Sequence, residues 1–488
     1  MGRLKSLAGD TVIYGLMTVF GRFITFMLTP IYTNFLSKGE IGEVNNVFVY
    51  FALIVIFYSF GMESAFFRFF KKDDERRTQK VFSHSFLSMT LLGGLCTLLL
   101  VAASPFIAGD FYSGSDATTL FILSAFIPLT DIIMYIPYGM LRMTRRAKKF
   151  AYTKFMIICL VFALNMLFIT VMKTGIAGVI WAQLLANLVG CAVLLPLIIK
   201  NLRLEFDRKL LKDMFVFGFP TLPASLSQIV LQVSDRIIVK QLCGAETLGL
   251  YSVNYRLGIP MMLFVSLFEY AWKPFYLSHF EDSDAKQLFS RIFTYFTLTA
   301  GVVFIGAALF LSDFVQLPSI GGRVINPQYY SGMNIIPIIL LAYFFNGAYN
   351  QFAAGIQITK TTKYLPIPLV IAGVVNIGAN YALIPLYGYE VAAWTTLLSY
   401  FIAAVVLYHY SQKVYPLQYE WKRVGIIAVA TAATYFAAME LTVFEVSLKN
   451  VLIKIATLAI FVGLLKVLGF FNQSEIALIK RIVRRKQP

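Results

Sequence analysis

The stretch "TVIYGLMTVFGRFITFMLTPIYTNFL" (residues 11–36) decides the fold class, because it is a long apolar run with a single charged side chain, Arg22. About 20 apolar residues are enough for an α-helix to cross the hydrocarbon core of a bilayer. Similar runs recur along the 488 residues, of which 58% are hydrophobic and 14% charged. Strands of a membrane barrel would instead alternate in segments of about ten residues. The sequence therefore predicts an all-α integral membrane protein.

Fourteen such runs are predicted to be transmembrane helices. Their approximate bounds are 11–36, 44–67, 81–109, 117–141, 150–172, 175–199, 214–240, 248–272, 288–312, 332–357, 364–386, 388–410, 423–441 and 447–468. The loops on one side, together with the N-terminus and the tail at 480–486, carry 30 Lys and Arg, and those on the other side carry five. Cytoplasmic loops are the basic ones, so both termini are predicted to be cytoplasmic. The net charge of +17 is then explained by the basic cytoplasmic loops, which set the orientation in the membrane, and by attraction to anionic lipid. It does not indicate nucleic-acid binding.

Two internal similarities indicate a duplication. "MTRRAKKFAYTKF" (143–155) aligns with "ITKTTKYLPIPLV" (358–370), and "ESAFFRFF" (63–70) aligns with "EYAWKPFY" (269–276). Each repeat holds an even number of spans, so the two copies have the same orientation and are predicted to form two pseudo-symmetric six-helix lobes with a site between them. The predicted units are an N-terminal lobe (1–200), a C-terminal lobe (201–412) and two additional helices with a basic tail (413–488).

Arg22 lies near the middle of the first predicted span. A charge at the bilayer centre costs about 2.5–3.5 kcal/mol on insertion scales, so such a residue usually faces protein or a water-filled cavity. Thr18 and Thr25 follow the same helix face as Arg22. The first span is therefore predicted to present a polar stripe to a cavity.

The corresponding spans of the second repeat carry similar side chains. Asp235 and Arg236 lie in the seventh span, and Arg256 lies deep in the eighth. Guanidinium groups bind phosphate through two hydrogen bonds, so the three arginines favour an anionic, phosphate-bearing substrate. The predicted substrate-binding residues are Arg22, Arg256, Arg236, Thr18, Thr25, Gln228, Gln232 and Asn254. An alternative is that Asp235 simply neutralises Arg236.

Five charged residues inside or beside the spans are candidates for gating or for coupling to H⁺ or Na⁺. The predicted set is Glu63, Arg68, Asp131, Asp235 and Glu269. Glu63 and Arg68 are a possible cytoplasmic gate, and Glu63, Asp131 and Glu269 are also possible ion-pair partners of the buried arginines. Lys154, near a cytoplasmic helix end, is expected to extend its amine to the interface.

Three pairs of carboxamides repeat at a spacing of four residues, which places each pair on one helix face. The pairs are Gln183 with Asn187, Asn346 with Asn350, and Asn376 with Asn380. Such side chains bind sugar hydroxyls or hydrogen-bond to neighbouring helices, and the sequence favours the second role.

The sequence offers no pattern for a cofactor or an enzyme. The four cysteines form no C-x-x-C pair and the three histidines are far apart, so neither disulfides nor a metal site are expected. The longest outer loop, about 313–331, has only Asp313 and Arg323 as charged groups. A glycosyltransferase or polymerase that acts outside the membrane is therefore the less favoured alternative, and no catalytic residue is predicted.

"YGLMTVFGRFITFMLTPIYTNFLSKGEIGEVNNVF" (14–48) and "GMESAFFRFF" (61–70), together with the layout of spans, resemble the polysaccharide-exporter branch of the multidrug/oligosaccharidyl-lipid/polysaccharide flippase superfamily. The resemblance implies a multi-pass protein of the bacterial inner membrane. It would move undecaprenyl-diphosphate-linked oligosaccharide, such as an O-antigen or capsule unit, to the periplasmic leaflet. Lipid II flippases look like relatives with cavity arginines on the first, second and eighth helices. Arg22, Arg68 and Arg256 occupy those helices here, although Arg68 lies at the cytoplasmic end.

The resemblance also sets the expected partners. They are the lipid-linked glycan, membrane lipid and possible polysaccharide assembly proteins, with a monomer expected and no nucleic acid. The alternative within the same superfamily is a cation-coupled multidrug exporter, whose cavity should be acidic or apolar.

Overall fold

The computed structural model describes residues 2–442, 444 and 446–471, with side chains from residue 19 onward except at 224. The predicted basic tail at 480–486 lies outside the described residues. The helices, in chain order, are α1 (Gly2–Phe35), α2 (Lys38–Ser59), α3 (Met62–Phe69), α4 (Glu75–Ile107), α5 (Ala117–Met143), α6 (Ala147–Asn165), α7 (Ile176–Asn201), α8 (Arg208–Gly218), α9 (Leu222–Arg256), α10 (Ile259–His279), α11 (Ala285–Phe314), α12 (Ile336–Ile358), α13 (Pro366–Tyr387), α14 (Val391–Val414), α15 (Trp421–Leu441) and α16 (Leu448–Val467). Between α11 and α12, β1 (Pro318–Ser319) and β2 (Gly322–Arg323) form a short antiparallel hairpin.

Eleven helices of the described residues are long and apolar enough to cross a membrane, and twelve if the bent pair Arg208–Thr221 and Ser225–Arg256 is one span. The chain is thus a multi-pass helical membrane protein. Predicted spans one (11–36) and eight (248–272) are not among the twelve. The count of fourteen, the lobes and the orientation therefore stay predictions. We refer to the end with the connections 70–74, 144–146 and 202–207 as the basic end, and to the opposite end as the low-charge end.

The eighth predicted span is divided between two helices. Gly244 has φ 86° and ψ 174°, so α9 turns there and its last part forms the start of that span. α9 ends at Arg256, and α10 begins after Leu257 and Gly258. A Cβ on Gly258 would lie 2.6 Å from Ile339 Cγ2, so the break packs tightly against α12. Broken helices at this depth occur where the backbone is covered by protein or lines a cavity.

At the low-charge end, α2 and the last part of α9 are in backbone contact. A Cβ on Gly42 would lie 1.8 Å from the Ala245 carbonyl oxygen, and one on Gly249 would lie 2.0 Å from the Lys38 carbonyl oxygen. Only glycine fits at either position. The contact joins the N-terminal half of the chain (α1 to α7) to the C-terminal half (α9 to α14).

At the basic end, the connection at 202–207 is fixed to α4. The Asp207 amide donates to His84 Nε2 (3.0 Å), and the Arg203 amide donates to Ser83 Oγ (2.7 Å). Glu205 accepts hydrogen bonds from Lys80 and Arg76, which hold the pKa of its carboxyl below the ordinary value. The connection between the two halves is therefore attached to the N-terminal half.

A buried ion pair attaches the last helix to the C-terminal half. Lys454 Nζ on α16 lies 2.8 Å from Asp313 Oδ2 at the end of α11, and the two side chains are 2% and 13% exposed. Lys454 also donates to Ser312 Oγ (3.0 Å). Charges this well buried are stable only when paired, so the pair fixes the position of α16 against α11.

Candidate functional site

A cavity lies between helices of the N-terminal half and helices of the C-terminal half, and four cationic side chains line it. It has a volume of about 510 Å³. We call it the arginine chamber. The cations are Arg22 of α1, Lys154 of α6, and Arg236 and Arg256 of α9. None of the described residues that line it is acidic. The chamber can therefore hold an anion in contact with both halves of the chain.

Arg22 and Arg256 make hydrogen bonds to neutral side chains and are not in ion pairs with any described carboxylate. Arg22 Nη1 donates to Ser266 Oγ of α10, and Arg256 Nη2 donates to Asn45 Oδ1 of α2 at 2.8 Å. Each of these bonds crosses between the halves. Among the residues that the structure describes, no carboxylate lies within 4.0 Å of either guanidinium. Neither guanidinium is therefore in an ion pair with a described residue, and both are available to an anionic ligand.

Arg236 differs because it has a carboxylate beside it. Its Nη1 lies 3.6 Å from Asp235 Oδ1, and its guanidinium carbon lies 4.2 Å from the centre of the Tyr255 ring. Asp235 is 1% exposed and also accepts a hydrogen bond from Tyr251 Oη at 2.7 Å. The alternative in which Asp235 neutralises Arg236 thus has a matching geometry, and Arg236 adds little net charge to the chamber.

Lys154 belongs to the chamber, although its sequence position had suggested that it extends to the interface. Its Nζ lies 4.2 Å from the centre of the Tyr138 ring and lines the cavity with Arg22. The sequence missed it because a lysine two turns inside a helix is compatible with either position.

A second cavity of about 350 Å³ adjoins the first. We call it the amide chamber, since Gln228 and Gln232 of α9 and Asn346 and Asn350 of α12 line it. The two chambers share the lining residues Arg22, Arg236, Tyr255, Met262 and Tyr343. A single extended ligand can therefore occupy both.

The remaining predicted substrate residues are placed differently. Thr25 is exposed and lines the arginine chamber. The side chain of Thr18 lies outside the described residues. Asn254 is fully buried, donates to the Tyr329 carbonyl at 2.9 Å and is absent from both chamber linings. Its contacts hold α9 against the Pro327–Ile335 segment, so the structure does not bring it to the cavity.

The predicted gate and coupling residues lie in four separate places, one of which is that of Asp235 beside Arg236. Glu63 of α3 is 4.0 Å from Arg142 Nη1, and Arg68 is exposed on the same short helix. Residues five apart on a helix do not face each other, which explains why Glu63 contacts Arg142 and not Arg68. Glu269 lines the amide chamber and accepts a hydrogen bond from Asn350 Nδ2 at 3.2 Å.

Asp131 lies inside the N-terminal half. Its Oδ1 accepts a hydrogen bond from Asn187 Nδ2 at 2.9 Å. No Lys, Arg or His nitrogen among the described residues comes within 4.0 Å of its carboxylate. Asp131 is therefore a carboxylate that can take up a proton or a cation without first breaking an ion pair.

In the described part of the chain, no group of three or more His, Cys, Asp or Glu side chains is close enough to hold a metal ion. All four cysteines are free thiols.

Comparison with known proteins agrees with this architecture. The family described as "Polysaccharide biosynthesis protein" matches residues 7–280, which is more than half of the chain. This chain belongs to the polysaccharide biosynthesis protein family. The match covers α1 to α10, and so it includes the four cations of the arginine chamber.

Two curated relatives align over most of this family member. An uncharacterized membrane protein of Methanocaldococcus jannaschii is 21% identical over 95% of this chain and 96% of its own length. The capsular polysaccharide biosynthesis protein CapF of Staphylococcus aureus is 23% identical over 80% of this chain and 95% of its own length.

Solved structures show the same fold. The lipid II flippase MurJ, in an inward closed conformation, superimposes with a TM-score of 0.76 at 15% identity, over 93% of this chain and 98% of that protein. An inward-facing multidrug resistance transporter of the MATE family, in the MOP superfamily, gives a TM-score of 0.65 at 14% identity, over 84% of this chain and 96% of that protein. This member of the polysaccharide biosynthesis family therefore has the fold of MOP-superfamily transporters.

Proposed function

We propose that this protein flips an undecaprenyl-diphosphate-linked oligosaccharide from the cytoplasmic to the periplasmic leaflet of a bacterial inner membrane. The glycan would be an O-antigen, capsule or exopolysaccharide repeat unit. Family membership and the lipid II flippase named among the similar structures support a lipid-linked substrate. The observation that carries the proposal is the arginine chamber, in which cations from both halves face one cavity with no carboxylate among its described lining residues.

The mechanism is alternating access between the halves. In this proposal the basic end is cytoplasmic, both termini are cytoplasmic, and the fourteen spans form two six-helix lobes followed by two helices. The diphosphate binds in the arginine chamber, the glycan follows it, and the prenyl chain stays in lipid. The substrate drives the exchange only through contacts that differ between the two states. Arg22 and Arg256 supply such contacts because each already bonds across the interface between the halves.

Coupling to an ion is proposed at two carboxylates, Asp131, which is half-buried in the N-terminal half, and Asp235, which is buried in the C-terminal half. Asp131 is the better candidate, because no Lys, Arg or His nitrogen of the described residues lies within 4.0 Å of its carboxylate, whereas Asp235 lies beside Arg236. Proton or sodium entry, or the membrane potential acting on the anionic substrate, would supply the free energy. An Asp131→Asn variant should lose the dependence of export on the coupling gradient. Unchanged dependence in that variant would assign coupling elsewhere.

The test of the function is glycan export in a strain that lacks the gene. Wild-type protein should restore surface polysaccharide and clear the accumulated diphosphate-linked glycolipid. Arg22→Ala and Arg256→Ala should fail to do so at equal protein abundance. Arg291→Ala is the matched control, since Arg291 is exposed on α11 and lines neither chamber. Full export by both chamber variants would refute the proposed site.

A cation-coupled drug exporter is the second candidate, and the MATE-family structure supports it. The positive arginine chamber disfavours it, because a cationic drug would be repelled there. Resistance to lipophilic cations on expression, with no effect on surface polysaccharide, would establish this alternative.

An enzyme is disfavoured because Asp313, one of two charged groups predicted in the longest outer loop, is paired with Lys454. The proposal also includes that the protein is a monomer and that it has partners among polysaccharide assembly proteins.

A further inference from the structure

The three carboxamide pairs of the sequence have two different environments in the structure. Asn187, on α7, donates to Asp131 Oδ1 at 2.9 Å and accepts from Gln183 Nε2 at 3.1 Å. The amide nitrogen of Asn187 therefore connects α7 to α5, and its oxygen is used within α7. This pair holds α7 against α5, and neither residue lines either chamber.

The oxygens of the pair on α13 also accept hydrogen bonds from neighbouring helices, and neither residue lines a chamber. Asn376 and Asn380 are fully buried, and Asn380 Nδ2 donates to Asn376 Oδ1 at 2.9 Å. Asn376 Oδ1 also accepts from Ser234 Oγ of α9 at 2.8 Å, and Asn380 Oδ1 accepts from Thr395 Oγ1 of α14 at 2.7 Å. These amides connect three helices of the C-terminal half.

The third pair lines the amide chamber. Asn346 and Asn350 face this cavity from α12, and Gln228 and Gln232, which are exposed in the protein alone, face it from α9. Four carboxamides thus surround one space, next to the Glu269 carboxylate. Asn350 Nδ2 also donates to Glu269 Oε2 of α10 at 3.2 Å, so it is the position in a chamber lining that distinguishes this set of amides from the other two.

Sugars match this set of groups. Each carboxamide offers both a donor and an acceptor, as a sugar hydroxyl does, and the carboxylate of Glu269 adds two acceptors. Tyr343, Tyr349 and Tyr400 supply aromatic surface in the same lining, and tyrosine combines an apolar ring with a polar tip. A chamber for a second phosphate would instead need additional cations.

We propose that the amide chamber is the glycan subsite and that it binds the sugars nearest the diphosphate, a proposal that rests on the proposed function. The diphosphate occupies the arginine chamber and the first sugars occupy the amide chamber. Arg22 and Arg236 line both spaces, so they lie where phosphate and sugar meet. The chambers then divide the two tasks. The cations bind any diphosphate-linked lipid, and the amides select among glycans.

The experiment compares two ligands on the full-length protein in lipid nanodiscs. One probe is farnesyl diphosphate, which has no sugar. The other is the diphosphate-linked glycolipid extracted from a strain that lacks the gene. The Gln228→Ala/Gln232→Ala/Asn350→Ala variant should bind the glycolipid at least about tenfold more weakly, because it loses several hydrogen bonds. Its affinity for farnesyl diphosphate should stay within about twofold, which also shows that the variant is folded.

Two controls complete the comparison. Gln241→Ala removes an exposed amide of the same helix that lines neither chamber, and should leave both affinities unchanged. Arg256→Ala should weaken both probes. Equal weakening of both probes by the triple variant, or an unchanged glycolipid affinity, would overturn the glycan subsite while leaving the flippase proposal intact. Wild-type protein that binds neither probe would overturn the proposed function and the subsite with it.

Discussion

Replacing Gly42 by alanine should separate the two halves at the low-charge end. The added Cβ would lie 1.8 Å from the Ala245 carbonyl oxygen, whereas real Cβ atoms essentially never come closer than 3.0 Å. The neighbour is backbone and cannot rotate away. α2 and the last part of α9 must therefore move apart by about 1.2 Å, which is the difference between these two distances.

The size of the effect follows from the cost of overpacking. Forcing an extra methyl group into a tightly packed contact costs about 1–3 kcal/mol. The cost falls only on the state in which this end is closed, so the equilibrium shifts towards the state in which it is open. Each 1.4 kcal/mol is a factor of ten. The shift should be about 5- to 150-fold in favour of the state open at the low-charge end.

Labelling of a chamber residue measures this shift. Thr25 is exposed and lines the arginine chamber, so a Thr25→Cys substitution places a thiol there. The background protein has Cys96, Cys159, Cys191 and Cys243 replaced by serine. A membrane-impermeant maleimide added to intact cells reaches position 25 only when the low-charge end is periplasmic and open. Its labelling rate should rise with Gly42→Ala by the factor given above.

Gly39→Ala is the matched control on the same helix. Its Cβ would lie 3.8 Å from Glu246 Cγ, an ordinary contact, and should leave the labelling rate unchanged. An equal rise in both variants would show that the effect is not the Gly42 contact, and no rise in either would refute the closure at this end. A rise seen only in inside-out vesicles would reverse the proposed orientation.

Three further predictions concern the chamber and the contacts that hold the helices. Arg256→Lys keeps the charge but not the planar fork that binds Asn45, so export should fall about tenfold or more in the glycolipid-clearance assay. Lys454→Met leaves Asp313 buried without a partner and should cost about 3–5 kcal/mol of stability in detergent unfolding, whereas Asp313→Leu combined with Lys454→Met should recover most of that loss. Asn380→Ala removes two buried hydrogen bonds and should cost about 1 kcal/mol in the same assay, since each such bond is worth about 0.6 kcal/mol in a membrane protein; unchanged stability would contradict its structural role.

The sequence predicts the membrane class and the cavity because both depend on strong, local signals. An arginine in a bilayer-length apolar run has few acceptable environments, so the positions of Arg22 and Arg256 in the sequence are enough to indicate a cavity. The structure brings both to the arginine chamber. Helix periodicity also places Gln228 and Gln232 on a shared face, and they line one chamber together.

Other features depend on contacts between distant parts of the chain. The break at Leu257 and Gly258 has one signal, Pro260 in the first turn of α10, but a proline inside an apolar run does not tell whether the span bends or divides into two helices. The predicted eighth span therefore runs straight through it. Asn254 lies on the same apolar run as Arg256, but it turns towards Tyr329. Only the packing of α9 against the Pro327–Ile335 segment distinguishes the two residues.

The charge balance of the arginine chamber explains why an anion would be needed to complete it. Arg22 and Lys154 come from the N-terminal half, and Arg256 comes from the C-terminal half. In the described part of the chain none of the three has a carboxylate within 4.0 Å. Like charges on facing halves repel, and this repulsion is strong where water is limited. A diphosphate between them replaces repulsion with attraction to both halves. The empty transporter should therefore resist drawing the halves together around the chamber, and the loaded transporter should favour it, so the substrate itself would control when the protein changes state.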